Sequence, residues 1–209
     1  MMIATDHSNR AAAVLSGKRL EYFTIIWNLM EGIVSLLAGL FAGSISLVGF
    51  GVDSFIEVAS GTIVLWRMAV DRDIAHRQRN EDLALKLVGF SFLGLAGCLV
   101  FQSIVRFADQ KAPQHSLAGI AIAILSLIVM PLLSRAKRKV ATQLKSSAMA
   151  ADARQTDFCA YLSAILLAGL LLNFAFGWWW ADPVAALIMA SIIGNEGINA
   201  SLGKKCCDE

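Results

Sequence analysis

The sequence predicts an all-α membrane protein of six transmembrane helices with both termini in the cytoplasm. Three observations carry that prediction. The 209 residues are 57% hydrophobic and only 16% charged, at a mean hydropathy of +0.63, whereas an ordinary soluble domain is about a quarter charged. The apolar residues gather into six stretches, most of them near the ~20 residues that a helix needs to cross the hydrocarbon core. Lys and Arg concentrate at the amino terminus, after the second and fourth stretches and in the tail, whereas the connections after the first, third and fifth hold only Arg106 and Lys111. The cytoplasmic excess of Lys and Arg in membrane proteins then sets the orientation.

Residues 1–19 read as a cytoplasmic segment that stays on the protein, because Asp6, His7, Asn9 and Arg10 leave only the short run AAAVL and no apolar core of signal-peptide length. The first span, Leu20 to Ala42, carries Asn28 and Glu31 on one face, with Gly32, Gly39 and Gly43 as small surfaces for close helix approach. The link to the second span is so short that the two must be antiparallel neighbours. That second span, Ser46 to Trp66, holds Asp53 and Glu57 near its middle. The run RMAVDRDIAHRQRNED after it, with Arg67, Arg72, Arg77 and Arg79, reads as a loop in water.

Leu83 to Val105 is the third span, with Lys86 placed to snorkel, Gly89, Gly94 and Gly97 as packing positions, and Gln102 as its strongly polar interior residue. After the polar turn FADQKAPQHS, Leu117 to Leu133 forms a featureless aliphatic fourth span with Pro131 at its exit. Ser134 to Ala148 packs Arg135, Lys137, Arg138, Lys139 and Lys145 into one linker, read as a cytoplasmic loop beside anionic lipid. A nucleic-acid partner is not expected, since no soluble domain accompanies these charges. The fifth span runs from Met149 to about Phe174 and opens with ADARQTDFC, where Asp152, Gln155 and Cys159 share one helix face and Asp157 points away. FGWWWAD is an aromatic turn at headgroup level, and Pro183 to Ile198 is a short sixth span. The whole divides into a transmembrane domain over 20–198 and a brief cytoplasmic tail over 199–209. No disulfide framework or zinc-finger spacing emerges from Cys98, Cys159, Cys206 and Cys207.

Asp53 and Glu57 need a reason to be where they are. A carboxylate at bilayer depth costs at least ~2.5 kcal/mol on the most lenient scale, so such groups face a bundle interior or a water path. Their spacing puts both on one helix face, as a divalent-cation site would require. The other reading is a protonated or hydrogen-bonded pair that holds helices together. Glu31 either joins the cation site, relays protons, or hydrogen bonds with Asn28. At the helical rise of ~1.5 Å per residue, Glu57 and Cys159 both fall near the midplane, which allows Asp53, Glu57, Gln155 and Cys159 to form one cluster if the second and fifth spans are neighbours.

SLVGFGVDSFIE resembles the second membrane helix of the cation diffusion facilitator family, and ADARQTDFCAYLSA with GWWWADP resembles its fifth helix and the turn into its sixth. The resemblance covers about the whole membrane part. It implies a tetrahedral site for zinc or a similar divalent ion built by those two helices, and exchange of metal for protons by alternating access in a homodimer. Asp53 and Glu57 match the two acids, with Glu57 as a conservative replacement, while Gln155 and Cys159 stand where the family usually has histidine and aspartate. Gln155 offers a weak neutral oxygen and Cys159 a soft sulfur; Asp152 and Glu31 are the substitutes available. The family usually carries a cytoplasmic metal-binding domain after the sixth helix, where this sequence has about a dozen residues, including Cys206 and Cys207; metal binding and acylation are the alternatives for these two, and a plain solvent-exposed tail is the preferred reading.

The function expected is a divalent metal transporter, a proton-coupled exporter of zinc or a related transition metal in the plasma (inner) membrane. It would need no cofactor, and the metal is its cargo. The alternative is a membrane protein that keeps the metal site and modulates a partner without transporting. An enzyme is not expected, since no nucleophile and base pair stands out and His7, His76 and His115 all lie outside the spans.

Overall fold

The computed structural model describes residues 2–42, 45–71, 76–109, 117–176, 178 and 180–203. They form α1 (Met2–Ala42), α2 (Ile45–Ala69), α3 (Arg77–Asp109), α4 (Leu117–Leu144), α5 (Ser147–Phe176) and α6 (Ala181–Ser201), with no strand among the described residues. Four of them, α1 to α4, contain segments long and apolar enough to cross a membrane. The expected Gly43, Lys111, His115, Cys206 and Cys207, and the side chain of His7, lie outside the described residues.

Burial is arranged as lipid demands. Phe41 and Leu117 are 91% and 85% exposed, while Glu21, Asn28, Glu31, Glu57, Lys137, Asp152 and Gln155 have no exposed surface at all. In water that distribution would be inverted. In a bilayer the outward apolar side chains meet hydrocarbon, and the inward polar ones find each other. The chain is therefore an integral, multi-pass membrane protein.

α1 packs on α2 and α4, α4 on α5, and α3 on α6, while α2 and α5 meet between them. Small residues permit the close crossings. A Cβ on Gly39 would fall 2.7 Å from the backbone nitrogen of Val48, and one on Gly89 would fall 2.5 Å from that of Ser201. Gly32 likewise lies against Phe55. Gly94 and Gly97 do not behave as expected: a Cβ on either would meet no other part of the bundle within 4 Å, because both sit on the outer face of α3.

The largest departure from the sequence reading is in the basic stretch after Pro131. This proline is inside α4 rather than at its exit, and the helix continues through the expected linker to Leu144. A proline forfeits its own N–H bond, but nothing in SRAKRKVATQL interrupts the helix after it. The true connection is Lys145 and Ser146, turned by Lys145 at a φ of 51°. Of the five basic residues, Lys137 is buried among acids.

The run after α2 is also not simply solvated. Arg67 pairs with Glu81 and, at 2.8 Å, with Asp71. Asp71 also receives the guanidinium of Arg10 at 2.7 Å, and Arg77 donates to its backbone carbonyl. Glu81 reaches across to the start of α5, accepting from the Ala148 backbone N–H at 2.8 Å and from the Ser146 hydroxyl at 2.9 Å. It thus serves an N–H that the first turn of a helix leaves without an intrahelical acceptor. Burial works against the Asp71 charge, but the guanidinium groups of Arg10, Arg67 and Arg77 outweigh it and hold its carboxyl below the usual range. This network ties α1, α2, α3 and α5 at one end of the bundle.

Candidate metal centre

Four helices each turn a stripe of polar residues inward. On α1 the stripe is Glu21, Thr24, Asn28, Glu31 and Ser35, at helical spacings of three and four. α2 supplies Asp53, Glu57 and Ser60, α4 supplies Ser126, Ser134 and Lys137, and α5 supplies Asp152, Gln155, Thr156, Cys159 and Ser163. All of these are buried. They make a polar seam through an apolar bundle, and its middle is where the expected site residues fall.

α2 and α5 are in direct contact there. The Thr156 hydroxyl donates to Glu57 Oε1 at 2.7 Å. The Cys159 thiol faces Glu31 Oε1 at 3.8 Å and the Ser126 hydroxyl at 3.9 Å, within electrostatic reach of Asp53 and Glu57. Glu31 takes a hydrogen bond from the Trp27 indole at 2.7 Å, and not from Asn28, which donates to the Thr24 carbonyl one turn back. Glu31 thus lies within electrostatic reach of Asp53 and Glu57.

Several buried polar atoms along this seam have no hydrogen-bond partner within the chain: both carboxylate oxygens of Asp53 and of Glu21, Oε2 of Glu57, both polar atoms of Gln155, Oδ1 of Asn28 and the Ser35 hydroxyl. A buried polar atom left without a partner costs about 1–3 kcal/mol, more if charged, so native interiors rarely gather them. An oxygen-rich set of this kind is what a divalent cation supplies with a partner. The His, Cys, Asp and Glu side chains are not preassembled into a ligand shell of three or more among the described residues. Glu57 is engaged by Thr156 and Cys159 by Glu31.

Asp152 has other company. Its carboxylate takes the Lys137 ammonium at 2.5 Å and the Ser60 hydroxyl at 2.7 Å, one turn along α2 from Glu57. Asp157, on the other side of α5, pairs with Arg138. On the opposite side of the centre a cleft between α2, α3, α5 and α6 reaches Asp53, passing Gly49, Gln102 and Ser103.

The sequence reading did not find Thr156, Lys137 or Glu21. Each carried a signal. Thr156 lies on the face of Asp152 and Cys159; Lys137 continues the inward positions Met130, Leu133, Val140 and Leu144 of α4; and Glu21 heads the polar stripe of α1.

Residues 22–200 match the family described as the cation efflux transmembrane domain. The chain belongs to the cation efflux family. The cation-efflux pump FieF of Shewanella oneidensis is 26% identical over 172 residues, covering 79% of this chain and 58% of that protein. An uncharacterized transporter of Methanocaldococcus jannaschii is 27% identical over 189 residues, 86% of this chain and 65% of its own length. Transmembrane protein 163 of Xenopus laevis is 25% identical over 179 residues, 85% and 63% respectively. The chain spans less than two thirds of the length of each of these relatives. The cation efflux family is one of transporters, which sets aside an enzymatic reading.

Proposed function

We propose that this chain moves a divalent metal cation across the membrane, exporting zinc or a related transition metal from the cytoplasm in exchange for protons. The observation that carries the reading is the burial, inside an apolar bundle, of unpartnered carboxylate oxygens of Asp53 and Glu57 within electrostatic reach of the Cys159 thiol, with Gln155 one turn from Cys159 on α5. Asp53 and Glu57 are the principal ligands. Gln155, Cys159 and Glu31 complete the shell by rotamer changes that release Cys159 from Glu31. The mixture of oxygen and sulfur suits zinc, cadmium or cobalt better than magnesium or calcium, which take all-oxygen shells. Carboxylates must be deprotonated to bind metal, so cation binding and proton release are coupled at the same atoms.

The topology that goes with this reading is six crossings with both termini cytoplasmic in the plasma (inner) membrane, and a homodimer as the working unit. It is supported by the placement of Arg67, Arg77, Arg79 and Lys145 at the end of the bundle where α2 leads to α3 and α4 to α5. The test is reconstitution of the chain in sealed vesicles loaded with a metal-sensitive dye, challenged with zinc, cadmium, cobalt, manganese and magnesium under imposed pH gradients. Zinc flux that accelerates with an opposing proton gradient is the expected result. Saturable metal binding without flux would overturn the transport reading and leave a protein that modulates a partner.

A further inference from the structure

Along α2 the chain places three things in order. The cleft touches its amino-terminal half at Gly49, Phe50 and Asp53. The candidate centre follows at Asp53 and Glu57. Beyond it, at Ser60 and Gly61, lies an ion-pair knot: Lys137 of α4 holds Asp152 of α5 at 2.5 Å and Glu21 of α1 at 3.2 Å, and Asp152 takes the Ser60 hydroxyl at 2.7 Å. Gly61 provides the room, since a Cβ there would lie 3.0 Å from Glu21 Oε2. α5, running the other way, repeats the order, with Leu162 and Leu166 on the cleft, Cys159 and Thr156 at the centre, and Asp152 in the knot. The centre is thus reached from one side by a cleft and covered on the other by a side-chain cluster with no exposed surface.

The chemistry of that cover is specific. The knot joins two carboxyl groups and one ammonium, on the line a cation leaving Glu57 toward the α2 carboxy-terminal end would follow. Apolar side chains would seal the bundle at lower cost, because desolvating a charge is expensive even when it is paired. What an ammonium offers in addition is that it can be exchanged: it is a cation held on a flexible stem, occupying carboxylates that a mobile cation would otherwise use. We propose that Lys137 is a tethered cation that closes the route on this side of the centre, so that passage requires its release from Glu21 and Asp152. This rests on the proposed transport function for its purpose, but its test does not need metal.

Cys159 is the native reporter, fully buried at the centre. In a full-length chain with Cys98, Cys206 and Cys207 replaced by Ser, the rate at which 2-aminoethyl methanethiosulfonate modifies Cys159 is measured in oriented membrane vesicles, from each side in turn, with a thiol scavenger on the other. Lys137→Met should raise the rate from the α2 carboxy-terminal side by about tenfold or more, as a shift from closed to open populations does, and leave the rate from the cleft side unchanged. Lys137→Met strands two buried acids and can fail to fold. The triple variant Glu21→Gln, Lys137→Met, Asp152→Asn removes the charges together and should show the same one-sided increase. Unchanged access in the folded triple variant, an equal increase from both sides, or failure of both variants to fold would overturn the proposal and make the knot a structural fastening. If Asp53 and Glu57 proved not to bind metal, the one-sided increase would still stand as a property of the fold.

Discussion

Thr156→Val removes one hydroxyl, which besides Glu57 meets only the Asp152 carbonyl of its own helix, at 3.3 Å. Valine keeps the volume and the branching of threonine, so α5 and its packing persist, while Glu57 loses the 2.7 Å bond that Thr156 donates to its Oε1. Since Oε2 has no partner either, the carboxylate is then free to rotate away from Asp53. A hydrogen bond to a charged group contributes about 1.5–3 kcal/mol, and every ~1.4 kcal/mol is tenfold in affinity. The expected loss is therefore about 10–100-fold in metal affinity, the range found when residues supporting a metal ligand are removed. Zinc titration of the purified protein and the concentration dependence of zinc flux in vesicles should both report it. Thr156→Ser, which keeps the hydroxyl, should restore most of the affinity. Thr156→Val with wild-type affinity would show that Glu57 is not oriented by α5 and would refute the geometry of the centre.

Glu81→Ala breaks a buried pair with Arg67 and strands the Ala148 N–H, and should destabilise the protein by about 3–5 kcal/mol, read as a lower melting temperature in detergent with metal affinity preserved in the folded fraction. Asp71 has its folded pKa held below the usual 3.8, so its contribution to stability is fully present above that value and is lost as pH falls through the lower, folded pKa. The stability difference between wild type and Asp71→Asn should accordingly hold through neutral pH and shrink in acid; a difference that grows in acid would reverse the sign. Cys159→Ser keeps the size and removes the soft sulfur, and should weaken zinc and cadmium transport far more than manganese transport. An unchanged order of metal preference would take Cys159 out of the site.

The six helices, four of them apolar enough to cross a membrane, were legible because lipid imposes a simple rule on composition, and Asp53 and Glu57 were legible because that rule makes acids conspicuous. The limits of α4 were not. A proline followed by a cluster of five basic residues looks like the end of a helix, and nothing local reveals that Lys137 faces acids contributed by α1 and α5. The same holds for Arg67 and Glu81, which read as solvated charges until the fold brings α2, α3 and the start of α5 together. Asp152 shares a helix face with Gln155 and Cys159, as its spacing required, yet the lysine of a neighbouring helix engages it. Side-chain periodicity gives the face, and only packing gives the partner.

The central claim is that Asp53 and Glu57 hold the transported cation. Its most direct measurement is zinc flux into dye-loaded vesicles by Asp53→Asn and Glu57→Gln, single substitutions that keep shape and remove the negative charge. Because neither Asp53 nor Glu57 makes an ion pair within 4 Å among the described residues, neither change strands a buried ion pair, and Gln at 57 keeps an oxygen for the Thr156 hydroxyl, so both variants should insert and fold. The account predicts that each loses zinc flux and zinc binding together while its melting temperature stays at or above wild type. Normal flux in both variants would contradict it and leave the two acids as the glue of the bundle.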